Sequence, residues 1–171
     1  GVYGDPCLIS DHEGNIYYLH LSDTDRVGPF KKGWLDRIVC QRSEDQGKTW
    51  TNGGFMGFRK DKDQDKEWAI ADPETGKIYC TWTEFDKYDS KKKEDKSRIV
   101  FAVSEDQGNT WSEPITLSEQ EGNCLDDDET TEGAVHAVGP NGEIYVAWSY
   151  NDTIFFDKSR DGGKTWLEED L

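Results

Sequence analysis

Long apolar runs, paired cysteines and an excess of basic residues are all missing from this sequence of 171 residues. Only 33% of its residues are hydrophobic, and no apolar run approaches the roughly 20 residues that a membrane span needs. Acidic residues outnumber basic ones by 36 to 20, which gives a net charge of -16. Because such a field repels phosphate backbones and anionic lipids, we expect neither nucleic-acid binding nor membrane insertion.

Cysteine is scarce as well, and its spacing excludes the usual zinc motifs. The four cysteines Cys7, Cys40, Cys80 and Cys124 lie far apart and form no CxxC pair. One disulfide is compatible with their number, but its pairing is not readable from the sequence. The chain does not open with a signal peptide, so either an export signal has been removed or the sequence is an excerpt.

What the sequence does contain is a repeat. The octapeptide Ser-x-Asp-x-Gly-x-Thr-Trp occurs at 43–50, 104–111 and 159–166, and its copies start 61 and 55 residues apart. A Gly supplies the positive φ of a tight hairpin, and an Asp carboxylate accepts hydrogen bonds from turn amides. The Trp then has a large apolar surface to bury. We therefore expect Asp45, Asp106 and Asp161 to be structural turn residues.

Other elements recur in phase with the octapeptide. Gly-x-Ile-Tyr occurs at 14–17, 76–79 and 142–145, and a short apolar strand precedes each octapeptide. Cys40 falls where the later repeats carry Phe101 and Phe156, which predicts a core position for it. Each unit reads as four short strands, with first strands near 5–10, 67–72 and 133–139. The sequence therefore predicts an all-β chain of three antiparallel blades, at about 1–58, 59–120 and 121–171.

The octapeptide resembles the Asp box, or bacterial neuraminidase repeat, of the sialidase/neuraminidase superfamily. This resemblance covers nearly the whole chain and implies a β-propeller in which the boxes lie on the outer rim, away from any substrate. It also implies a ring of about six blades, of which this chain supplies three. A fragment of a longer propeller is one interpretation, and self-association of two half-propellers is the other.

The resemblance implies two alternative functions. One is a sialidase-like glycoside hydrolase that acts on a glycan or glycoprotein, and the other is a non-catalytic propeller that binds protein or polysaccharide. The family's location implies a secreted, periplasmic or cell-surface protein. A sialidase carries an arginine triad, and the Arg-Ile-Pro motif of many sialidases is absent here. The chain has only six arginines, and no triad can be assigned to them.

In such propellers the site lies near the central axis, where loops enter the first strands. The acidic residues at these positions are Asp5, Asp65, Glu67 and Glu132. A pair of carboxyl groups can serve as acid and base, or as acid and nucleophile, in glycoside hydrolysis. We predict Glu67, Glu132 and Asp65 as the catalytic candidates. His136, inside a strand pattern, is expected to be a packed histidine.

Substrate-binding residues are predicted in the same region. Long loops between second and third strands carry Phe30, Trp34, Phe85 and Tyr88, whose rings could stack on a sugar. We select Trp34 and Tyr88, together with Arg59, as the substrate-binding candidates.

One acidic pattern suggests a metal ion. Asp61, Asp63 and Asp65 alternate along the chain, and alternate carboxylates can converge on Ca²⁺ when the loop turns sharply. Lys66, however, stands where such a loop needs Gly. Calcium is therefore an alternative to the main expectation that the chain has no cofactor.

Overall fold

The computed structural model describes residues 2–23 and 33–171, and within these residues the chain forms eleven β-strands and no helix. The strands make three antiparallel sheets, which we call blades 1, 2 and 3. Blade 1 contains β1 (Val2–Ser10), β2 (Ile16–Ser22), β3 (Arg37–Ser43) and β4 (Gly54–Met56). Blade 2 contains β5 (Asp63–Ala71), β6 (Ile78–Phe85), β7 (Ser97–Ser104) and β8 (Ile115–Thr116). Blade 3 contains β9 (Glu132–Val138), β10 (Ile144–Tyr150) and β11 (Thr153–Ser159).

The blades are arranged side by side in chain order. In blades 1 and 2 the strands follow one another across the sheet, and in blade 3 β10 lies between β9 and β11. Beyond β11, the backbone of Leu171 exchanges two hydrogen bonds with Phe156, at the repeat position where Phe101 pairs with Ile115 in blade 2. The first strand β5 contacts both β1 and β9, so the first strands of the three sheets lie next to one another. The predicted all-β propeller architecture is confirmed.

The three octapeptides, which we call boxes 1, 2 and 3, form the same hydrogen-bonded turn. In box 2, Asp106 Oδ1 accepts hydrogen bonds from the Thr110 amide at 2.8 Å and the Ser104 hydroxyl at 3.0 Å, while Oδ2 accepts from the Thr110 hydroxyl at 2.6 Å. The Gly108 amide donates to Ser104 Oγ at 2.9 Å. Boxes 1 and 3 repeat these contacts around Asp45 and Asp161. These carboxylates close turns, as a structural role requires.

Side chains alternate along each strand, so every blade has two apolar faces. One core cluster joins blade 1 to blade 2 and includes Tyr17, Cys40 and Trp82. A second cluster joins blade 2 to blade 3 and includes Tyr79, Phe101 and Trp148. Both faces of blade 2 are therefore buried. The fold consists of thin layers between blades, in which a few large side chains fill each layer.

Boxes 2 and 3 each pack on the preceding blade. Trp166 of box 3 lies edge-on against Phe101 of blade 2, with 5.1 Å between ring centroids. Trp111 of box 2 packs against the cluster between blades 1 and 2. The turns themselves come equally close: a Cβ built on Gly163 would lie 2.5 Å from Phe101, and one on Gly108 would lie 2.8 Å from Cys40 Sγ. Glycine is required at both positions because the hairpin backbone touches the neighbouring blade and has a positive φ.

The cysteines belong to this packing. All four are buried and carry free thiols. Cys40 is in the core at the position where Phe101 serves in blade 2, as the repeat predicts. Burial raises the pKa of the Cys40 thiol to about 12, which keeps it protonated at neutral pH. These thiols act as small apolar side chains.

The box turn gives a first prediction. We expect Asp106→Ala to lower the free energy of unfolding by about 1–2 kcal/mol, because the amide and hydroxyl groups of the turn lose their acceptor. Urea unfolding followed by tryptophan fluorescence measures this. The matched control is Glu105→Ala in the same turn, whose exposed side chain pairs with Lys77, and we expect it to cost under about 0.5 kcal/mol. Equal losses in both variants would contradict the assigned role of Asp106.

Candidate functional site

The first strand of every blade is interrupted by a β-bulge at the same end. The bulges lie between Tyr3 and Cys7 in β1, between Asp65 and Trp68 in β5, and opposite Ala147 and Ser149 in β9. A bulge adds an unpaired residue and redirects its side chain, and bulges are common next to active sites. Here they occur where the first strands converge. Three of the predicted acidic positions, Asp5, Asp65 and Glu132, are at these bulges.

A cleft of about 400 Å³ opens beside the bulges of blades 1 and 2. Its walls come from β1, from the segment before β3, from the start of β5 and from the loops that carry Tyr88 and Asp126. The residues that line it are Tyr3, Gly4, Asp5, Leu21, Trp34, Leu35, Asp63, Gln64, Asp65, Lys66, Tyr88 and Asp126. The cleft thus combines aromatic rings with several carboxyl groups, as sites for small polar ligands do.

Asp5 and Asp65 form a carboxyl pair in this cleft. Burial and the neighbouring charge of Asp5, which also hydrogen bonds to Asp65, raise the pKa of Asp65 to about 7. A second carboxyl group in contact and the loss of water on burial both oppose ionisation of Asp65. Asp65 is therefore a carboxylic acid that can donate a proton in the physiological range.

Lys66 joins this pair to a second one. It occupies the bulge with a φ of 52°, and its amide donates to Asp65 Oδ1 at 3.0 Å. Its ammonium group donates to Asp126 at 2.7 Å and to Glu132 at 2.8 Å. The hydrogen bond from Lys66 lowers the pKa of Asp126, whereas burial raises the pKa of Glu132 despite the same cation. Asp126 is thus held as an ionised carboxylate.

The two aromatic candidates are fixed by a buried carboxylate. Asp63 accepts a hydrogen bond from the Tyr88 amide at 2.9 Å and from the Leu35 amide at 3.3 Å. It thereby holds the loop that carries Tyr88 and the segment that carries Trp34 against β5. The Tyr88 hydroxyl donates to Asp126 Oδ2 at 2.9 Å. Both aromatic residues line the cleft, and Trp34 also lies edge-on to Tyr3 with 6.0 Å between centroids.

Glu67 occupies a different environment. The residue borders a second cleft that contains Trp68 and Val135, but both of its carboxyl oxygens are buried and have no hydrogen-bond partner among the described residues. Burial, with the nearby charges of Asp5 and Asp65, raises the pKa of Glu67 to about 9. The side chain is therefore an uncharged acid at neutral pH, enclosed between blades 1 and 2.

The remaining predicted residues lie elsewhere. Arg59 borders a separate cleft with Phe55, Phe58 and Trp111, and its guanidinium donates to the buried Glu84 at 3.0 Å. His136 is packed against Tyr79 O and the Thr81 hydroxyl, and burial lowers its pKa to about 4.

The calcium pattern does not form a metal site. Asp61, Asp63 and Asp65 do not converge, because Asp61 is exposed while Asp63 is buried and already accepts two amide hydrogen bonds. In the described part of the chain no group of three or more His, Cys, Asp or Glu residues could hold a metal ion. Phe30 lies outside the described residues.

Solved structures resemble this arrangement. The Hadza microbial sialidase Hz136 matches with a TM-score of 0.67 and 19% identity over 96% of this chain and 36% of that one. The Penicillium chrysogenum α-L-arabinanase complexed with arabinobiose matches with a TM-score of 0.70 and 16% identity, over 97% and 47% of the two chains. The intramolecular trans-sialidase from Ruminococcus gnavus matches with a TM-score of 0.66 and 11% identity, over 96% and 59%.

The fold is that of the sialidase-type β-propellers. This chain spans between about a third and three fifths of the length of the structures that it matches. No family model and no curated protein matches the sequence. At these identities the likeness to sialidases and arabinanases concerns the fold. None of the described residues forms a helix that could cross a membrane.

The sequence did not identify two residues of this propeller cleft. The sequence pattern assigned no role to Asp126, and it indicated Lys66 only as a residue that does not fit a calcium loop. Their contact spans 60 positions of the chain and depends on the bulge in β5. One signal in the sequence could have indicated Lys66. It is a lysine in a first strand, and the other blades carry an acidic residue or Gly at the same position.

Glu67 gives the second prediction. Its folded-state pKa of about 9 lies above the ordinary 4.5, so the folded protein holds one more proton than the unfolded chain between these values. Stability contributed by the protonated acid is therefore lost as pH rises through that interval. We expect Glu67→Gln to be more stable than the wild type by about 1–3 kcal/mol at pH 8, with no difference near pH 4.

Denaturant unfolding from pH 4 to pH 9 measures this effect. Glu113→Gln, at an exposed position, is the matched control and should show no such dependence. A Glu67→Gln variant whose advantage over the wild type stays constant with pH would show that Glu67 is not a buried neutral acid.

Proposed function

We propose that this propeller hydrolyses or binds glycans in the cleft between Asp5 and Asp126, and that its chemistry is that of a glycoside hydrolase. The observation that carries the proposal is a pair of carboxyl groups with opposite pKa shifts. The pKa of Asp65 is raised to about 7 and the pKa of Asp126 is lowered, although both residues line one cleft. Environments that separate two carboxyl pKa values are typical of acid and base pairs in glycosidases.

The proposed roles follow from the protonation states. Asp65 is the general acid, which donates its proton to the glycosidic oxygen as the bond to the sugar breaks. Asp126 is the ionised partner in the same cleft, acting as base toward water or as nucleophile. Glu132 shares the Lys66 ammonium with Asp126 and positions it. Glu67 stays a prediction from the sequence pattern, and its buried oxygens do not favour direct contact with substrate.

The cleft walls suggest a neutral sugar. Tyr3, Trp34 and Tyr88 offer apolar ring surfaces on which a sugar can stack. The carboxyl groups of Asp5, Asp65 and Asp126 face the same space, and their field opposes a ligand that carries its own carboxylate. The structural neighbours include an arabinanase complexed with arabinobiose as well as sialidases, so neutral substrates are compatible with this fold. The secreted or cell-surface location expected from the family is part of this proposal.

A non-catalytic glycan binder is the second candidate. The ion pairs of Lys66 favour this candidate. Lys66 pairs with both Asp126 and Glu132, and it so neutralises the Asp126 carboxylate that catalysis requires. A binder would keep this contact when ligand is bound, whereas an enzyme would release Asp126 toward the substrate.

The third prediction tests the acid. We expect the 171-residue chain to hydrolyse a fluorogenic neutral glycoside, such as an α-L-arabinofuranoside, in preference to a sialoside. The rate should fall above pH 7 as Asp65 ionises. Asp65→Asn should lose about 100-fold or more in kcat, because the amide cannot donate a proton in the same way.

Asp61→Asn is the matched control, since Asp61 is exposed just before β5, and its rate should be unchanged. Hydrolysis that survives Asp65→Asn would refute the assigned acid, and preferred cleavage of the sialoside would refute the neutral substrate. Saturable binding of neutral oligosaccharides without any turnover would support the non-catalytic glycan binder and refute the hydrolase.

A further inference from the structure

Gln64 brings a buried side-chain amide to the wall of the cleft. It is the second residue of β5, between Asp63 and Asp65, and all three residues line the cleft. The Gln64 side chain is fully buried, yet its Nε2 has no hydrogen-bond partner among the described residues. Buried donors are almost always paired, because an unpaired one destabilises the fold. An unpaired donor beside a cleft therefore suggests a partner that enters the cleft.

Trp82 fixes the orientation of the amide. An indole N–H can only donate, so the Gln64 atom 2.5 Å from Trp82 Nε1 must be the amide oxygen. The NH2 group then occupies the other end of the amide. Gly57 packs against this pair, since a Cβ added there would lie 3.3 Å from Gln64 Oε1 and 3.0 Å from the Trp82 ring. The backbone N–H of Gln64 also donates to Leu35 O at 2.7 Å, so the amide has little freedom to turn.

Nearby acceptors in the protein do not pair with the Gln64 NH2 group. Each carboxyl oxygen of Asp63 already accepts a backbone N–H, one from Leu35 and one from Tyr88. Glu84 is directly opposite Gln64 in β6, and its Oε1 accepts from two arginines, while its Oε2 has no partner among the described residues. Gln64 lines the cleft, whereas Glu84 is not among the described residues that do so. An acceptor for the NH2 group can thus come from the cleft.

Other donors that line the cleft are already engaged. The Lys66 ammonium donates to Asp126 and Glu132, and the Tyr88 hydroxyl donates to Asp126. A ligand that used these donors would have to displace a carboxylate. A ligand oxygen that binds Gln64 displaces no contact among the described residues, so this hydrogen bond forms without the loss of another.

We propose that Gln64 determines which sugar the cleft accepts, because its Nε2 donates a hydrogen bond to a hydroxyl oxygen of the bound sugar. The inference rests on the glycan function proposed above and specifies what that site recognises. An amide NH2 group is a donor only, so it requires an oxygen at this position of the ligand. A sugar that carries hydrogen in place of that hydroxyl leaves the buried donor unpaired and is rejected.

Isothermal titration calorimetry tests this role. The probe is whichever of arabinobiose, xylobiose and cellobiose binds most tightly to the Asp65→Asn chain, in which the proposed acid is removed so that the ligand is not consumed. Gln64→Met in this background replaces the amide by an apolar side chain of similar length, and we expect it to weaken binding by about 10-fold or more. Thr83→Val is the matched control and should leave the affinity unchanged. Thr83 Oγ1 is also buried and unpartnered among the described residues, but Thr83 is not among those that line the cleft.

Deoxygenated ligands identify the recognised group. Among analogues of the probe that lack a single hydroxyl, one should bind the chain with Gln64 about 10-fold or more weakly than the probe does. The same analogue should bind Gln64→Met as tightly as the probe does. A purely structural role of Gln64, such as pairing with Glu84 through a water molecule, would change stability without this dependence on the ligand.

A measurement that needs no variant at Gln64 applies if the Gln64→Met chain does not fold. In the nitrogen-15-labelled chain, the NMR signals of the Gln64 NH2 group should shift when the disaccharide binds. Unchanged signals, an affinity that Gln64→Met leaves intact, or an equal loss in Thr83→Val would each overturn this inference alone. The absence of saturable binding for all three disaccharides would overturn the proposed function together with it.

Discussion

Each blade has two apolar faces, and neither face is stable in water unless a neighbour covers it. In this chain the box hairpins between the third and fourth strands of blades 2 and 3 help to bury the apolar face of the preceding blade. The box of each blade closes its own turn through one Asp carboxylate, and boxes 2 and 3 also place a glycine and a tryptophan against the preceding blade. A turn that is rigid and free of a Cβ at the contact point can approach an aromatic ring at van der Waals distance. The rest of the structure follows from this stacking.

One consequence is the line along which the first strands meet. Blades that stack through their faces bring β1, β5 and β9 side by side, and the bulge in each strand then directs residues into the shared space. Acidic residues at these points crowd one another and lose solvent. The pKa of Asp65 rises for this reason, while the ammonium group of Lys66 lowers the pKa of Asp126 and keeps it ionised. The fold thus creates the chemical asymmetry that we assign to function.

The sequence predicted the features that depend on local pattern. The spacing of the boxes predicted three repeated units, and the residue types within each box predicted a closed turn with a structural Asp, which the hydrogen bonds of Asp45, Asp106 and Asp161 display. Cys40 was placed in the core by comparison with Phe101. These inferences need only the chain and its neighbours a few residues away.

The candidate site was less accessible to such reasoning, because bulges change which face a residue occupies. Asp65 and Glu67 are two residues apart and looked equivalent, yet one faces the open cleft and the other is enclosed between blades. The contacts of Lys66 with Asp126 and Glu132 join positions that are 60 and 66 residues apart. No local pattern encodes them. Trp34 and Tyr88 were selected because their rings can stack on a sugar. The Asp63 carboxylate that positions both residues could not be identified from the sequence, because its hydrogen bonds depend on how the loops fold.

The central claim is that the packing of boxes 2 and 3 on the preceding blades stabilises the fold. Gly47→Ala and Gly163→Ala compare it directly, because both glycines have a similar positive φ, of 83° and 88°, and so carry similar backbone strain. Among the described residues, a Cβ added at Gly163 lies 2.5 Å from Phe101 of the preceding blade, whereas one added at Gly47 lies 3.8 Å from Trp50 of its own box. Urea unfolding at concentrations where the chain is monomeric should show that Gly163→Ala costs at least about 1–2 kcal/mol more than Gly47→Ala. Equal costs would contradict the claim.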